Sequence, residues 1–103
     1  MKILRWSLAW AALALVPAAG MAQPLAMAQV RSWAAACASC HGTDGNAQPG
    51  IAALAGMKRD EIVGKMLDFK NGRQPATVMH QLAKGYSDEQ IAAIAGYFAV
   101  QKK

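Results

Sequence analysis

Thiols are scarce in this chain: its 103 residues hold two cysteines, Cys37 and Cys40. No second pair exists to complete a zinc ribbon, and no spare thiol remains for a structural disulfide. Long apolar runs are lacking too. The longest, Trp6 to Val16, falls well under the roughly 20 residues that a membrane-spanning helix needs, and Pro17, Gly20, Gln23 and Pro24 break any continuation. No other stretch is long enough for stable membrane insertion. Alternating strand patterns, internal repeats and low-complexity linkers are also missing, which points to one small all-α domain. Acidic side chains are few, six against eleven basic ones.

That basic excess shrinks on inspection of the N-terminus. Lys2 and Arg5 form a short positive segment, Trp6 to Val16 an apolar one, and Pro17 to Ala22 a small-residue one. This order is that of a secretory signal peptide. Gly20-Met21-Ala22 predicts cleavage after Ala22, with Ala26-Met27-Ala28 as a second site. Residues 1–22 are then signal and 23–103 the mature domain, exported to the periplasm. The expected mature chain keeps nine basic against six acidic side chains, and Trp33 as its only tryptophan. So modest a balance indicates no nucleic-acid partner.

Cys37-Ala38-Ser39-Cys40-His41 carries the chemistry. Two thiols at this spacing can each add across a vinyl group of haem to form a thioether, and the adjacent imidazole is then held at the iron. A thioredoxin-type C-x-x-C is the main rival, but that motif follows a strand and opens a helix. The residues here, Ser32 to Ala36 before and Gly42 to Gly45 after, suggest a helix ending at the motif. A zinc site would have only His41 and His80 to add to the two thiolates. Haem attachment also agrees with export, since c-type haem is attached outside the bacterial cytoplasm.

Helices follow from the periodicity. Gln29 to Cys40 forms an Ala-rich helix with Val30, Trp33 and Cys37 on one face. Gly42, Gly45, Asn46, Pro49 and Gly50 mark a loop. Lys58 to Lys70 forms a second helix, with Asp60 and Glu61 in its first turn, Ile62, Met66 and Phe69 as its buried stripe, and Asn71-Gly72 as its stop. An apolar segment, Thr77 to Ala83, follows Pro75. Ser87-Asp88-Glu89-Gln90 is a capping box that opens the last helix, whose face of Ile91, Ile94, Ala95 and Phe98 runs to about Val100. A mature chain this short is near the limit for a self-sufficient core, so a buried tetrapyrrole would supply much of its apolar contact.

A haem bound by His41 needs its other face explained. Met57, Met66, Met79 and His80 are the candidates. Met66 belongs to a buried stripe, whereas Met79 and His80 fall in an irregular segment past Pro75 that can bend over a haem face. Residue chemistry leaves both open, with Met79 modestly ahead. A thioether would raise the reduction potential and suit electron transfer; a second imidazole would lower it.

Cys37 to Asn46, Asp68 to Arg73, and above all Thr77-Val78-Met79 with Ala83-Lys84-Gly85-Tyr86-Ser87-Asp88 resemble class I c-type cytochromes. They are most similar to the monohaem cytochrome subunit of flavocytochrome c sulfide dehydrogenases. The resemblance spans nearly all of residues 23–103. It implies a small class I cytochrome c fold of three to four helices around one covalently attached haem. It implies Cys37 and Cys40 as attachment points, His41 and Met79 as iron ligands, and the Pro49 carbonyl as the group orienting the His41 ring. It also implies that the first and last helices cross, with Ala34 or Ala35 meeting Tyr97. In function it implies a periplasmic one-electron carrier and no enzyme activity of its own. The electrons would come from an FAD-containing flavoprotein subunit and pass to a downstream cytochrome acceptor. Lys58, Arg59, Lys65, Lys70, Arg73 and Lys84 are available for docking. A free periplasmic shuttle with no dedicated flavoprotein, and a haem-based small-ligand sensor, are the alternatives.

Overall fold

The computed structural model describes residues 26–103. The expected signal peptide and its cleavage after Ala22 lie outside the described residues. The second candidate site, after Ala28, falls in the first turn of a helix.

Four α-helices and one short 3-10 turn make up the described chain, and no strand occurs among the described residues. Helix α1 spans Met27–His41, the 3-10 turn Thr43–Gly45, α2 Arg59–Lys70, α3 Met79–Lys84 and α4 Asp88–Ala99. The sequence reading of α1, α2 and α4 agrees with these bounds to within two residues at each end. Helix α4 starts as its capping box requires. The Gln90 amide donates to Ser87 Oγ at 3.1 Å, and the Ser87 amide donates to Gln90 Oε1 at 2.9 Å. Ser87→Ala removes one half of this exchange. The variant is expected to lose about 1 kcal/mol of stability, seen as a drop of about 4–8 °C in the thermal midpoint.

Helix α3 departs from expectation. The segment past Pro75 is helical from Met79, where an irregular bend was expected. Six residues are too few for periodicity to declare a helix, and Val78 provides no side-chain cap. Such a helix persists through what it packs on, which is α2.

Helix α4 is the hub. Ala34 of α1, Ile62 of α2, and Ile94, Ala95 and Phe98 of α4 form the buried core. Small residues bring α1 and α4 together. Ala34 is the buried one of the two candidates, while Ala35 is exposed. Tyr97 packs against the same core and donates a 2.6 Å hydrogen bond to Asp44 Oδ1, fastening α4 to the 3-10 turn. That bond to a carboxylate pushes the Tyr97 phenol pKa up.

The turn after α1 depends on glycine. Gly42 has φ 80° and ψ 163°, a region essentially closed to other residues, and a Cβ there would collide with the Asn46 carbonyl. Gly45, at φ 81°, is buried where a Cβ would lie 2.9 Å from the Phe98 ring. The chain can therefore leave α1 sharply and pass close over α4.

Candidate functional site

The C-x-x-C-H motif lies inside the last turns of α1 rather than beyond its end. Cys37, Cys40 and His41 stand at i, i+3 and i+4, so one helical face presents all three. Cys37 is half-buried and Cys40 exposed, and neither is in a disulfide. Burial pushes the Cys37 thiol pKa up. A redox-active cysteine needs the opposite, a thiolate stabilised by its surroundings, so the environment argues against thiol–disulfide chemistry.

His41 Nδ1 lies 2.6 Å from the Ala52 carbonyl oxygen. A carbonyl can only accept, so Nδ1 carries the proton and donates it. The neutral ring then keeps its lone pair on Nε2, the nitrogen free to bind a metal. A hydrogen bond of this kind orients the ring and raises its basicity. The partner is Ala52, which corrects the expectation for Pro49. Pro49 and Gly50 occupy a turn, with Gly50 at φ 96° and the Ile51 amide donating to Gln48 O at 3.3 Å. The reversal leaves the carbonyl two residues past the turn facing the ring. Sequence gives little warning of this, because every residue carries a carbonyl and only the nearby Pro-Gly turn hints at the geometry.

All four residues singled out by the sequence, Cys37, Cys40, His41 and Met79, border one cavity of about 710 Å³. Its walls come from α1, the segment around Gly50–Leu54, α2, α3 and α4, and they are mostly apolar. Ile62, Ile94 and Phe98 of the core form part of the wall. Helices α1 and α3 are not a packed pair. One reaches the bundle through α4 and the other through α2, and the cavity lies where their faces stand apart.

Three methionines border the cavity: Met57, Met66 and Met79. The first two pack against the helical core, as the buried stripe of α2 leads one to expect for Met66. Met79, the first residue of α3, is outside that packed set. His80 does not border the cavity, and its Nδ1 is buried without a hydrogen-bond partner. The structure thus separates two neighbours that residue chemistry alone left close together.

Charge is nearly absent from the cavity. No carboxylate borders it among the described residues, and Lys65 is its one amine. Three of the six cations available for docking are engaged elsewhere. Arg59 Nη1 lies 3.3 Å from Asp60 Oδ1, and Arg73 Nε lies 3.0 Å from Asp68 Oδ1. Lys70 Nζ lies 2.9 Å from Asp88 Oδ1 and donates to the Tyr86 carbonyl at 2.8 Å.

Among the described residues, no three His, Cys, Asp or Glu side chains converge as a compact metal site would require. Two thiols, one imidazole with Nε2 available and a thioether instead border a broad apolar space. That donor set fits a flat macrocycle with iron at its centre, held at its edge by sulfur, and haem c has that chemistry. Among the described residues, no helix is long and apolar enough to cross a membrane.

Comparison with known proteins agrees with this geometry. The family model described as cytochrome c oxidase, cbb3-type, subunit III matches residues 24–98, which include the whole site. The cytochrome subunit of sulfide dehydrogenase from Chlorobaculum tepidum is 48% identical over 62 residues, covering 60% of this chain and 56% of that protein. Cytochrome c4 from Pseudomonas aeruginosa is 41% identical over 70 residues, covering 67% of this chain and 35% of that protein. The thiosulfate dehydrogenase electron acceptor from Thiomonas intermedia is 32% identical over 83 residues, covering 79% and 38% respectively. The chain thus spans a little over half of the first relative and little more than a third of the other two. The match across residues 24–98, joined to a helical fold without strands among the described residues, makes the chain a member of the cytochrome c family, with a small class I fold and haem c as its covalently bound cofactor.

Proposed function

We propose that Cys37 and Cys40 would hold haem c through thioethers, that His41 Nε2 and Met79 Sδ would be its iron ligands, and that the chain accepts single electrons from an FAD-containing sulfide dehydrogenase partner in the periplasm. The observation that carries the ligand assignment is the shared cavity: both cysteines, His41 and Met79 border it, and His80 does not. Haem c supplies a ferric/ferrous couple when bound. The polypeptide does the rest. Cys37 and Cys40 fix the macrocycle edge to α1. Ala52 accepts from His41 Nδ1 and so leaves Nε2 as the nitrogen free to bind the iron. Met79 would offer its thioether to the iron from the cavity wall, and so would limit the access of water and small ligands. The apolar wall, bordered by a single amine, keeps the surroundings of low polarity.

The flavoprotein partner is supported by the likeness to the sulfide dehydrogenase cytochrome subunit and by the resemblance across Thr77 to Asp88. Export of residues 23–103 after removal of 1–22 is supported by the order of basic, apolar and small residues at the N-terminus. Mild affinity purification from native periplasm tests the pairing. The expected result is an FAD protein in fixed ratio, in a complex whose haem is reduced on adding sulfide. A flavin-free monomer that sulfide does not reduce would instead establish the free shuttle. The likeness to cytochrome c4 and to a thiosulfate dehydrogenase electron acceptor favours that second reading.

A further inference from the structure

We propose that Lys70 is a positioning residue for the distal ligand: its ammonium fastens the far end of α3 and so holds Met79 toward the iron. The proposal rests on the assignment of Met79 as that ligand.

Helix α3 cannot hold its own position. It has six residues and no side-chain cap, so its isolated helical form is unstable. Packing on α2 holds the body of the helix, and the anchoring of the chain on either side adds to what keeps Met79 in place. On the upstream side, the Asp68 carbonyl accepts from the Arg73 amide at 2.8 Å and from the Gln74 amide at 3.2 Å. The Arg73–Asp68 side-chain pair adds to this, but both groups are well exposed, and such pairs contribute little.

Downstream the anchor is Lys70 itself. It is the last residue of α2, yet its Nζ reaches Tyr86 O at 2.8 Å and Asp88 Oδ1 at 2.9 Å. Asp88 is the first residue of α4. One ammonium therefore joins the end of α2 to the start of α4, with α3 strung between them. The Lys70 side chain is 25% exposed, against 69% for Asp88, so much of its stem is packed against the protein. A charge-assisted bond to a backbone carbonyl is stronger than a neutral one. Tyr86 itself borders the cavity beside Met79. Two of the three ammonium donors are spent on these bonds, which leaves Lys70 poorly suited to docking a partner.

Loosening this anchor should raise the fraction of molecules in which Met79 has left the iron. Exogenous imidazole reads that fraction, because it binds ferric iron only where the methionine has moved away, and its apparent affinity scales with the open population. In ferric holoprotein, Lys70→Met is expected to raise imidazole affinity about tenfold, equal to about 1.4 kcal/mol. Lys70→Arg, which keeps a donor for both acceptors, should return most of the wild-type value. Asp88→Asn weakens one bond and leaves the other, so it should give a smaller rise of about two- to threefold; it decides the matter if Lys70→Met yields no holoprotein. Tyr97→Phe, which removes the bond to Asp44 near the other end of α4, should leave imidazole affinity unchanged. The proposal is overturned if Lys70→Met and Asp88→Asn lower the thermal midpoint while imidazole affinity stays at the wild-type value, or if Tyr97→Phe raises it equally. A wild-type protein lacking the thioether–ferric haem charge-transfer band would instead remove the Met79 assignment, and this proposal with it.

Discussion

Cys37→Ser, Cys40→Ser protein is expected to carry no covalent haem and to lose most of its helical circular-dichroism signal. The reason lies in how the core is built. Among the described residues fully buried side chains are few, and the largest of them are Phe98 and Ile91. Leu54, Met57, Met66 and Tyr86 pack against the core but also border the cavity, so they are half-buried. Domains this small rarely draw more than about 3–5 kcal/mol from a single apolar core. Haem filling the cavity adds apolar contact along α1, α2, α3 and α4 at once, and the thioethers keep it from dissociating. Serine removes sulfur and nothing else of consequence at these positions, so helix propensity does not explain the loss. Circular dichroism of the variant, purified beside wild type, checks the expectation. A serine variant with wild-type helicity and thermal midpoint would show that the polypeptide core suffices alone.

Met79→Ala is expected to abolish the thioether–ferric haem charge-transfer band, while His80→Ala leaves it intact. Met79 borders the cavity at the start of α3, whereas His80, one residue on, does not. Truncation to alanine also opens a coordination position. The reduced variant should therefore bind carbon monoxide rapidly at neutral pH, and the wild type should not. The reduction potential should fall by a sizeable part of the roughly 0.8 V range that axial ligands span, because a thioether favours the ferrous state. The reverse pattern, with the band surviving Met79→Ala and vanishing in His80→Ala, would transfer the ligand role to His80.

The parts legible in the sequence were those governed by near neighbours. Ser87 and Gln90 announce α4 because a capping box is closed within four residues. Asn71-Gly72 ends α2 for the same local reason, and Cys37 to His41 is a contiguous motif. The parts that escaped are bonds between distant positions. Tyr97 and Asp44 are 53 residues apart, and Lys70 and Tyr86 are 16 apart. A lysine at a helix end looks equally suited to the helix dipole, to docking or to an internal anchor. The Ala52 carbonyl escaped because a backbone acceptor has no residue signature. Helix α3 escaped because one and a half turns leave no period to detect. Met79 and His80 illustrate the division well. Their chemistry is written in the sequence, but which of them borders the cavity is decided by how α3 packs on α2.

The central claim is that Cys37 and Cys40 anchor haem covalently beside His41. The most direct test is a pyridine haemochrome spectrum of the wild-type protein after denaturation and solvent extraction. The account predicts one haem per chain retained with the polypeptide, with a spectrum in which both vinyl groups are saturated. Haem that passes into the solvent, or a spectrum with both vinyl groups intact, would contradict it.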